Sequence, residues 1–271
     1  MNQALRLKKI LAVEVAREAG NLLCRLRKNL QVEEKGKWNW VTNADKQSEK
    51  LITESIKSFF PDDFIYGEEG GGANVEALQS LDQIWIVDPL DGTNNYVQGF
   101  NHFAVSIAYW DKGIPMIGVV FAPAMNELFV ASRGDGTLCN YEPIRVSTRE
   151  YLKDSFVGTG IPYESDAYGN INSDHIKNFL AQTHNLRCMG AATLDFANVA
   201  LGRLDGFWEY GLAPWDVAAG ILLVQEAGGM VTNFCGGQVD IFAGRIVASN
   251  RHIHSEMLEV LSLGKTGMMN G

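Results

Sequence analysis

The sequence predicts a mixed α+β protein in which helices and strands pack in layers. Three observations support this prediction. Apolar residues recur at helical spacing in the first 60 residues, and short strand-like runs joined by tight turns follow between residues 84 and 131. The second half then alternates between helical and strand-like segments. Of the 271 residues, 46% are hydrophobic and 20% are charged, which is enough apolar material for a large core.

The first elements along the chain are two helices. Apolar residues at helical spacing predict an amphipathic helix over about residues 3–30. The charged stretch from Gln31 to Asn39 has no such spacing, and we expect an irregular loop there. A second helix is predicted from about Asp45 to Phe60, and Pro61 ends it.

Strands come next. The continuous apolar run Ile84–Val87 is typical of a buried strand. Three further strands are predicted over residues 104–110, 116–122 and 127–131. The segments between them are short, so we expect an antiparallel meander.

The second half is predicted to contain helices over about residues 191–201 and 216–227, and a last helix that ends near residue 261. Asn250 is expected to cap this last helix. Strands are predicted at 205–209, near 230, and at 246–249. No Pro- or Ser-rich linker divides the chain, so we expect a single domain over residues 1–271, with layer pairs at about 1–145 and 146–271.

Composition excludes several classes of function. The net charge is −9, so non-specific binding to nucleic acid or to an anionic membrane is not expected. A small phosphorylated molecule remains possible, because a bound metal can reverse the local field. The four cysteines form no CxxC pair and there is no signal-peptide pattern or long apolar run, so a cytoplasmic protein outside the membrane is expected.

The most informative stretch begins where the buried strand ends. Asp88 follows the strand, and Asp91 comes three residues later. Pro89 fixes φ, so we expect the chain to turn here and to bring both carboxylates and the Leu90 carbonyl toward one point. Such hard oxygen ligands suit Mg²⁺. An Asp-Pro turn followed by an Asp that caps a helix explains the same stretch equally well.

The next two residues favour an anion site beside these oxygens. Gly92 permits a close approach of the backbone, and a helix that begins at Thr93 would offer unpaired N–H groups.

Three further acidic positions strengthen the metal-site interpretation. Taken singly, Glu68 is explained by a solvated glycine-rich loop, and Asp45 and Asp216 are explained as helix caps. Taken together, four side chains could form a metal cluster: Glu68, Asp88, Asp91 and Asp216. Asp45 and Thr93 could then orient a water molecule.

These motifs resemble the inositol monophosphatase family over nearly the whole chain. The segment Trp40–Asp45 is similar to the family's D-x-V-T-x-x-D, and Gly67–Glu69 is similar to its G-E-E. Asp88–Thr93 matches its D-P-[IL]-D-G-T, and Gly211–Gly220 is similar to its second signature, which ends in W-D-x-A-A-G. All four occur in the family's order.

The resemblance implies a layered αβαβα sandwich of the inositol monophosphatase and sugar phosphatase type, and Mg²⁺-dependent hydrolysis of phosphate monoesters. It assigns Glu68, Asp88 and the Leu90 carbonyl to a first ion. It assigns Asp88, Asp91 and Asp216 to a second, and Glu68 faces a third. It also implies a lithium-sensitive homodimer.

The remaining roles also come from the resemblance. Thr93, supported by Asp45, would orient the attacking water together with Glu68. Backbone N–H groups of Gly92 and Thr93 would bind the phosphate. The alcohol part of the substrate would contact Gly190, Ala191, Ala192 and Glu209.

Some departures leave substrate choice open. Asn39, Trp40 and Asn101 replace residues common in the family, and the Lys35–Trp38 loop is about one residue short, so its lysines receive no role. Fructose-1,6-bisphosphatase and NADP phosphatase activities stay open. Asn94–Tyr96 argues against a 3′-phosphoadenosine 5′-phosphate phosphatase, which usually has Lys-Glu-Phe there. A non-catalytic regulator is the alternative from another class, although no expected ligand is missing.

Overall fold

The computed structural model describes residues 3–36, 39–70, 82–161, 165–183 and 185–263. Within these ranges it contains seven α-helices: α1 (Gln3–Leu26), α2 (Asn43–Phe59), α3 (Thr93–Val97), α4 (Ser165–Gln182), α5 (Ala192–Ala200), α6 (Pro214–Glu226) and α7 (His254–Ser262).

The strands form two large sheets and one hairpin. The hairpin pairs β1 (Val32–Gly36) with β2 (Asn39–Thr42). The first sheet contains, in spatial order, β3 (Phe64–Gly67), β4 (Gln83–Asp91), β5 (Ala104–Asp111), β6 (Ile114–Ala122), β7 (Glu127–Ser132), β8 (Gly136–Cys139) and β9 (Glu142–Ile144). The second sheet has the order β11-β10-β12-β14-β13, from β10 (Phe156–Thr159), β11 (Asn185–Cys188), β12 (Gly206–Tyr210), β13 (Met230–Thr232) and β14 (Arg245–Ser249).

The helices and sheets stack in five layers. Helices α1 and α2 pack on one face of the first sheet, and α5 and α6 lie between the two sheets. Helices α4 and α7 cover the outer face of the second sheet. This αβαβα order confirms the predicted fold class.

Burial on both faces explains why the central strands are apolar throughout. On β4, Ile84 and Ile86 face the middle helices, whereas Trp85 and Val87 face α1 and α2. A strand covered on both sides has no solvent face, so it lacks the alternation of polar and apolar residues. The predicted strands at 104–110, 116–122 and 127–131 are confirmed, and they pair antiparallel in sequence order.

Helix α1 is confirmed, but it ends at Leu26, and its buried face is shifted from the predicted one: Val15 and Leu23 are buried, but two apolar residues near its start are exposed. Leu7 and Ile10 are 52% and 50% exposed, whereas Ala16 and Ala19 are fully buried. Small side chains let the helix lie close to the sheet. In the described part of the chain, no helix is both long enough and apolar enough to cross a lipid bilayer.

Two local predictions are wrong. The expected loop over Gln31–Asn39 contains strand β1, whose five residues are all exposed, so no apolar alternation marks it. Lys37 and Trp38 lie outside the described residues. Asn250 does not occupy the cap position of α7, which falls at Ile253; its side chain instead accepts a hydrogen bond from the Ile253 N–H at 3.3 Å.

The turn expected at Pro89 is also wrong, and the actual geometry positions the site. Strand β4 continues to Asp91 across a β-bulge. Asp88 lies opposite Ser106 and Asp91 lies opposite Ala104, so between these two pairs β4 has two residues and β5 has one. A bulge bends a strand and redirects its side chains. The proline is accommodated because the ladder is already interrupted there.

Candidate metal centre and active site

Three carboxylates converge in a cleft between the two sheets. Asp88, Asp91 and Asp216 each offer one carboxylate oxygen, and these oxygens all lie within 4.8 Å of one another. The first two come from the bulge of β4, and the third comes from the first turn of α6. They line a cleft of about 320 Å³. Crowded oxygen donors of one charge suit a hard divalent cation such as Mg²⁺.

Backbone N–H groups orient two of these carboxylates. The Leu90 N–H donates to Asp88 Oδ1 at 3.0 Å, and the Ala213 N–H donates to Asp216 Oδ2 at 2.7 Å. Asp216 is therefore not the N-cap residue of helix α6, which is Ala213; it lies at the third helical position, and its side chain accepts the Ala213 N–H as the acidic residue of a capping box does. A carboxylate has two oxygens, so capping with one is compatible with presenting the other to an ion.

The electrostatics of the cluster favour a bound cation. Burial is the largest cause that raises the pKa of Asp88 and Asp216, and the neighbouring carboxylates raise both further. Burial raises the pKa of Asp91 to about 6, although hydrogen bonds from residues 92, 192 and 193 oppose the rise. A positive ion would remove both the repulsion and the cost of burying these charges.

Glu68 lines the same cleft, on the loop that follows β3. No oxygen of Glu68 belongs to the group of three carboxylate oxygens that lie within 4.8 Å of one another. The negative charge of Glu68 nevertheless raises the pKa of Asp88 and of Asp216. Burial raises its own pKa to about 7, although Lys35 opposes the rise. The Lys35 ammonium lies 3.3 Å from Glu68 Oε1 and also pairs with Glu69. A lysine to which the sequence gave no role therefore reaches the site.

Glu49 of helix α2 holds the loop that carries Glu68. Its Oε2 accepts a hydrogen bond from the Glu69 N–H at 2.7 Å. Sequence reasoning missed this residue. A signal was available, because Glu49 lies four residues after Asp45 and therefore on the same face of α2.

Thr93 and Asp45 form a fixed pair behind the cluster. The Thr93 hydroxyl lies 3.0 Å from Asp45 Oδ1 and 3.0 Å from the Leu90 carbonyl. Asp45 Oδ2 accepts from the Thr42 N–H and hydroxyl, at 2.9 and 2.6 Å. Burial raises the pKa of Asp45, and the hydrogen bonds from Thr42 and Thr93 oppose this rise. Asp45 is thus both part of a capping box and the support of Thr93.

Gly92 brings two cleft-lining segments together. Its φ is +82°, and a Cβ there would lie 2.9 Å from the His102 carbonyl and 3.2 Å from the Gly190 carbonyl. Only glycine fits this backbone and this spacing. Asn95 also links the segments on either side of Gly92, because its side-chain amide donates hydrogen bonds to the carbonyls of His102 and Met189, each at 2.8 Å. Residues 190–192 therefore line the cleft beside Gly92.

Glu209 reaches the cleft from the second sheet. Its carboxylate lies against Gly160, where a Cβ would come within 2.3 Å of both of its oxygens. Burial raises its pKa, and the nearby Asp195 and Asp216 raise it further. The sequence did not single out Gly160 or the buried Asp195. It also missed the apolar and aromatic residues that line the rest of the cleft: Ile161, Tyr210, Leu212 and Trp215.

Every predicted site residue except Asp45 lines this one cleft, and Asp45 contacts it through Thr93. The fold and the site define a class of layered α+β proteins that have a carboxylate-lined cleft between two sheets. The chain matches the sequence profile of the inositol monophosphatase family over residues 7–263, and it belongs to that family.

Three similar proteins illustrate the relationship. A Nus factor SuhB from Pseudomonas aeruginosa is 41% identical over 256 residues, which cover 93% of this chain and 94% of that protein. A solved inositol monophosphatase from Anabaena (Nostoc) sp. PCC 7120 is 36% identical, with a TM-score of 0.87 over 97% of this chain and 98% of that one. A solved IMPase/NADP phosphatase, in complex with Mg²⁺ and phosphate, is 25% identical, with a TM-score of 0.86 over 97% of both chains.

Proposed function

We propose that this protein is a Mg²⁺-dependent phosphatase that hydrolyses inositol monophosphate or a similar small polyol or sugar phosphate. The observation that carries the proposal is the convergence of the oxygens of Asp88, Asp91 and Asp216 within 4.8 Å. Glu68 and the Thr93–Asp45 pair lie at the same cleft, which gives the cluster a means of orienting water.

We propose that the donor set holds two to three Mg²⁺ ions. Glu68, Asp88 and the Leu90 carbonyl would hold one ion, and Asp88, Asp91 and Asp216 would hold another. A third would face Glu68. When bound, such ions neutralise phosphate oxygens and lower the pKa of water.

The chain's own groups would then orient the reactants. The Thr93 hydroxyl would donate its hydrogen bond to Asp45, so that its oxygen could accept a hydrogen bond from the attacking water. The Glu68 carboxylate would accept the water's other hydrogen bond and take up the one proton that the water loses as it attacks. The N–H groups of Gly92 and Thr93 would hold phosphate oxygens, and this positioning is most of what phosphoryl transfer requires.

The alcohol half of the substrate would lie toward the second sheet. Glu209 would accept hydrogen bonds from hydroxyls of a polyol, beside Gly190, Ala191 and Ala192. A carboxylate is suited to the alcohol rather than to the phosphate, because like charges repel.

A panel of phosphate esters tests the proposal. Purified protein is assayed for phosphate release from inositol 1-phosphate, fructose 1,6-bisphosphate, NADP and p-nitrophenyl phosphate, each with Mg²⁺ and with EDTA. We expect the highest kcat/KM for inositol 1-phosphate, and loss of activity in EDTA. Absence of phosphate release from every ester would contradict the proposal.

Two alternatives have specific support. The IMPase/NADP phosphatase relative favours NADP as an additional substrate. Fructose 1,6-bisphosphate is part of the ester panel because the sequence leaves that activity open. The relative named Nus factor SuhB favours a regulator, which would bind a partner whether or not it releases phosphate. We further propose a cytoplasmic homodimer that Li⁺ inhibits, as the family membership suggests.

A further inference from the structure

We infer that Thr193 is a positioning residue that fixes the Asp91 carboxylate for the metal centre. This inference rests on the function proposed above. The Thr193 N–H donates to Asp91 Oδ2 at 2.8 Å, and the Thr193 hydroxyl donates to the same oxygen at 2.5 Å. Two donors from one residue therefore hold one oxygen of a proposed metal ligand.

The contact joins two elements that are distant in sequence. Helix α5 has Ala191 at its cap position, and this residue makes no side-chain cap bond. Asp91 supplies the missing acceptor from strand β4, 102 residues earlier in the chain. A carboxylate at a helix N-terminus is stabilised by the unpaired N–H groups and by the helix dipole.

The Thr193 hydroxyl adds a side-chain hydrogen bond that restricts the orientation of the Asp91 carboxylate. The backbone of residues 92, 192 and 193 already hydrogen-bonds to Asp91, and the hydroxyl is the side-chain donor that joins the Thr193 N–H on the same oxygen and further restricts rotation of the carboxylate about its terminal torsion. Groups that hydrogen-bond to metal ligands set their orientation, and their loss typically weakens metal binding by about 10- to 100-fold. Thr193 is fully buried, so water cannot easily replace the lost donor.

The test uses three variants of the full chain and Mg²⁺ alone as the probe. Thr193→Val removes the hydroxyl and keeps the shape and the N–H, and Thr193→Ser keeps the hydroxyl. Thr183→Val is the matched control, because Thr183 is also buried and its hydroxyl donates to the Ser155 carbonyl at 2.8 Å, outside the cleft. The Mg²⁺ dissociation constant is measured by calorimetric titration at a temperature where all variants are folded.

We expect Thr193→Val to weaken Mg²⁺ binding by about 10-fold or more. Thr193→Ser should stay within about 3-fold of wild type, and Thr183→Val should lower the melting temperature without changing Mg²⁺ affinity. Equal affinity in wild type and Thr193→Val would overturn this inference and leave the proposed function intact. A wild type that binds no Mg²⁺ would overturn both.

Discussion

At the scale of single residues, two acidic side chains at or behind the cleft have a structural contact as well as a proposed chemical one. Asp45 accepts hydrogen bonds from Thr42 with one oxygen and from Thr93 with the other. Asp216 accepts from Ala213 in the first turn of its helix. A helix cap and a ligand are therefore compatible interpretations of one residue, and the cap fixes the direction in which the carboxylate points.

Asp91→Asn tests the metal centre directly. Loss of a hydrogen-bonding partner of a ligand costs about 10- to 100-fold, so loss of the ligand's charge should reduce phosphate release by at least about 100-fold. The protein should stay folded, because removing one charge lowers the repulsion in the cluster. Phosphate release and thermal melting in EDTA measure the two effects, with the exposed Asp135→Asn as control. Wild-type turnover in Asp91→Asn would contradict the assignment.

Glu209→Gln tests recognition of the alcohol. A charged hydrogen bond contributes about 1.5–3 kcal/mol, and 1.4 kcal/mol corresponds to a tenfold change. We therefore expect kcat/KM for inositol 1-phosphate to fall by roughly 10-fold or more. The value for p-nitrophenyl phosphate, which lacks neighbouring hydroxyls, should change little. Equal losses on both esters would mean that the substitution disturbs the metal centre instead.

At the scale of elements, the sequence predicts best those segments whose burial is periodic or complete. The long helix α1, the meander and the alternating second half were predicted on that basis. Strand β1 was missed because all of its residues are exposed, and helix α4 was missed because polar and glycine residues interrupt its apolar spacing. The bulge at Pro89 depends on register with β5, which no local pattern encodes.

In the site, too, local motifs were predictable from the sequence, whereas contacts between distant elements were not. Each acidic motif was visible in the sequence, and the family resemblance grouped the motifs. The contacts of Thr193 and Gly160 join distant elements, so no local pattern predicts them. For Glu49, helical spacing indicates the face that it shares with Asp45, but not its hydrogen bond to the Glu69 N–H.

Gly118→Ala tests the close approach of helix α6 to strand β6 of the first sheet. A Cβ at residue 118 would lie 2.7 Å from the Ala219 carbonyl of helix α6, and backbone cannot move aside as a flexible side chain can. Overpacking of this kind typically costs about 1–3 kcal/mol. Chemical denaturation should show that loss, and Mg²⁺ affinity should fall because α6 carries Asp216.

The matched control for Gly118→Ala is Gly36→Ala, because a Cβ at Gly36 would meet open space. Its stability should stay within about 0.5 kcal/mol of wild type. Unchanged stability in Gly118→Ala would mean that strand β6 and helix α6 lie farther apart than described.

At the scale of the whole molecule, the site exists only when four of the five layers are assembled. Its residues come from α2, the first sheet, the middle helices and strand β12 of the second sheet, over a span from Asp45 to Asp216. An unfolded chain cannot present these oxygens together, so Mg²⁺ should bind the native state alone. Binding of that kind stabilises the fold by about 2.7 kcal/mol at one hundred times the Kd.

This linkage predicts how stability depends on pH and Mg²⁺ together. The pKa of Asp91 rises from 3.8 to about 6 in the folded protein, and that of Glu68 rises from 4.5 to about 7. Groups with a raised folded pKa contribute stability below the unfolded value and lose it as the pH rises through the folded value. In EDTA, the contribution of the site to stability should therefore fall between about pH 4 and pH 7. In the proposed site Mg²⁺ would bind the ionised carboxylates, so its stabilising effect should grow over the same interval.

Melting temperatures are measured at pH 5, 6, 7 and 8 in saturating Mg²⁺ and in EDTA, at equal ionic strength. The difference between the two conditions should be small at pH 5 and should reach roughly 5–10 °C by pH 8. Asp91→Asn should flatten this dependence, because it removes both a titrating group and a ligand, whereas Asp135→Asn should reproduce the wild-type curve. A Mg²⁺ effect of the same size at every pH would show that the ion does not compete with protons for these carboxylates, and therefore that it binds elsewhere.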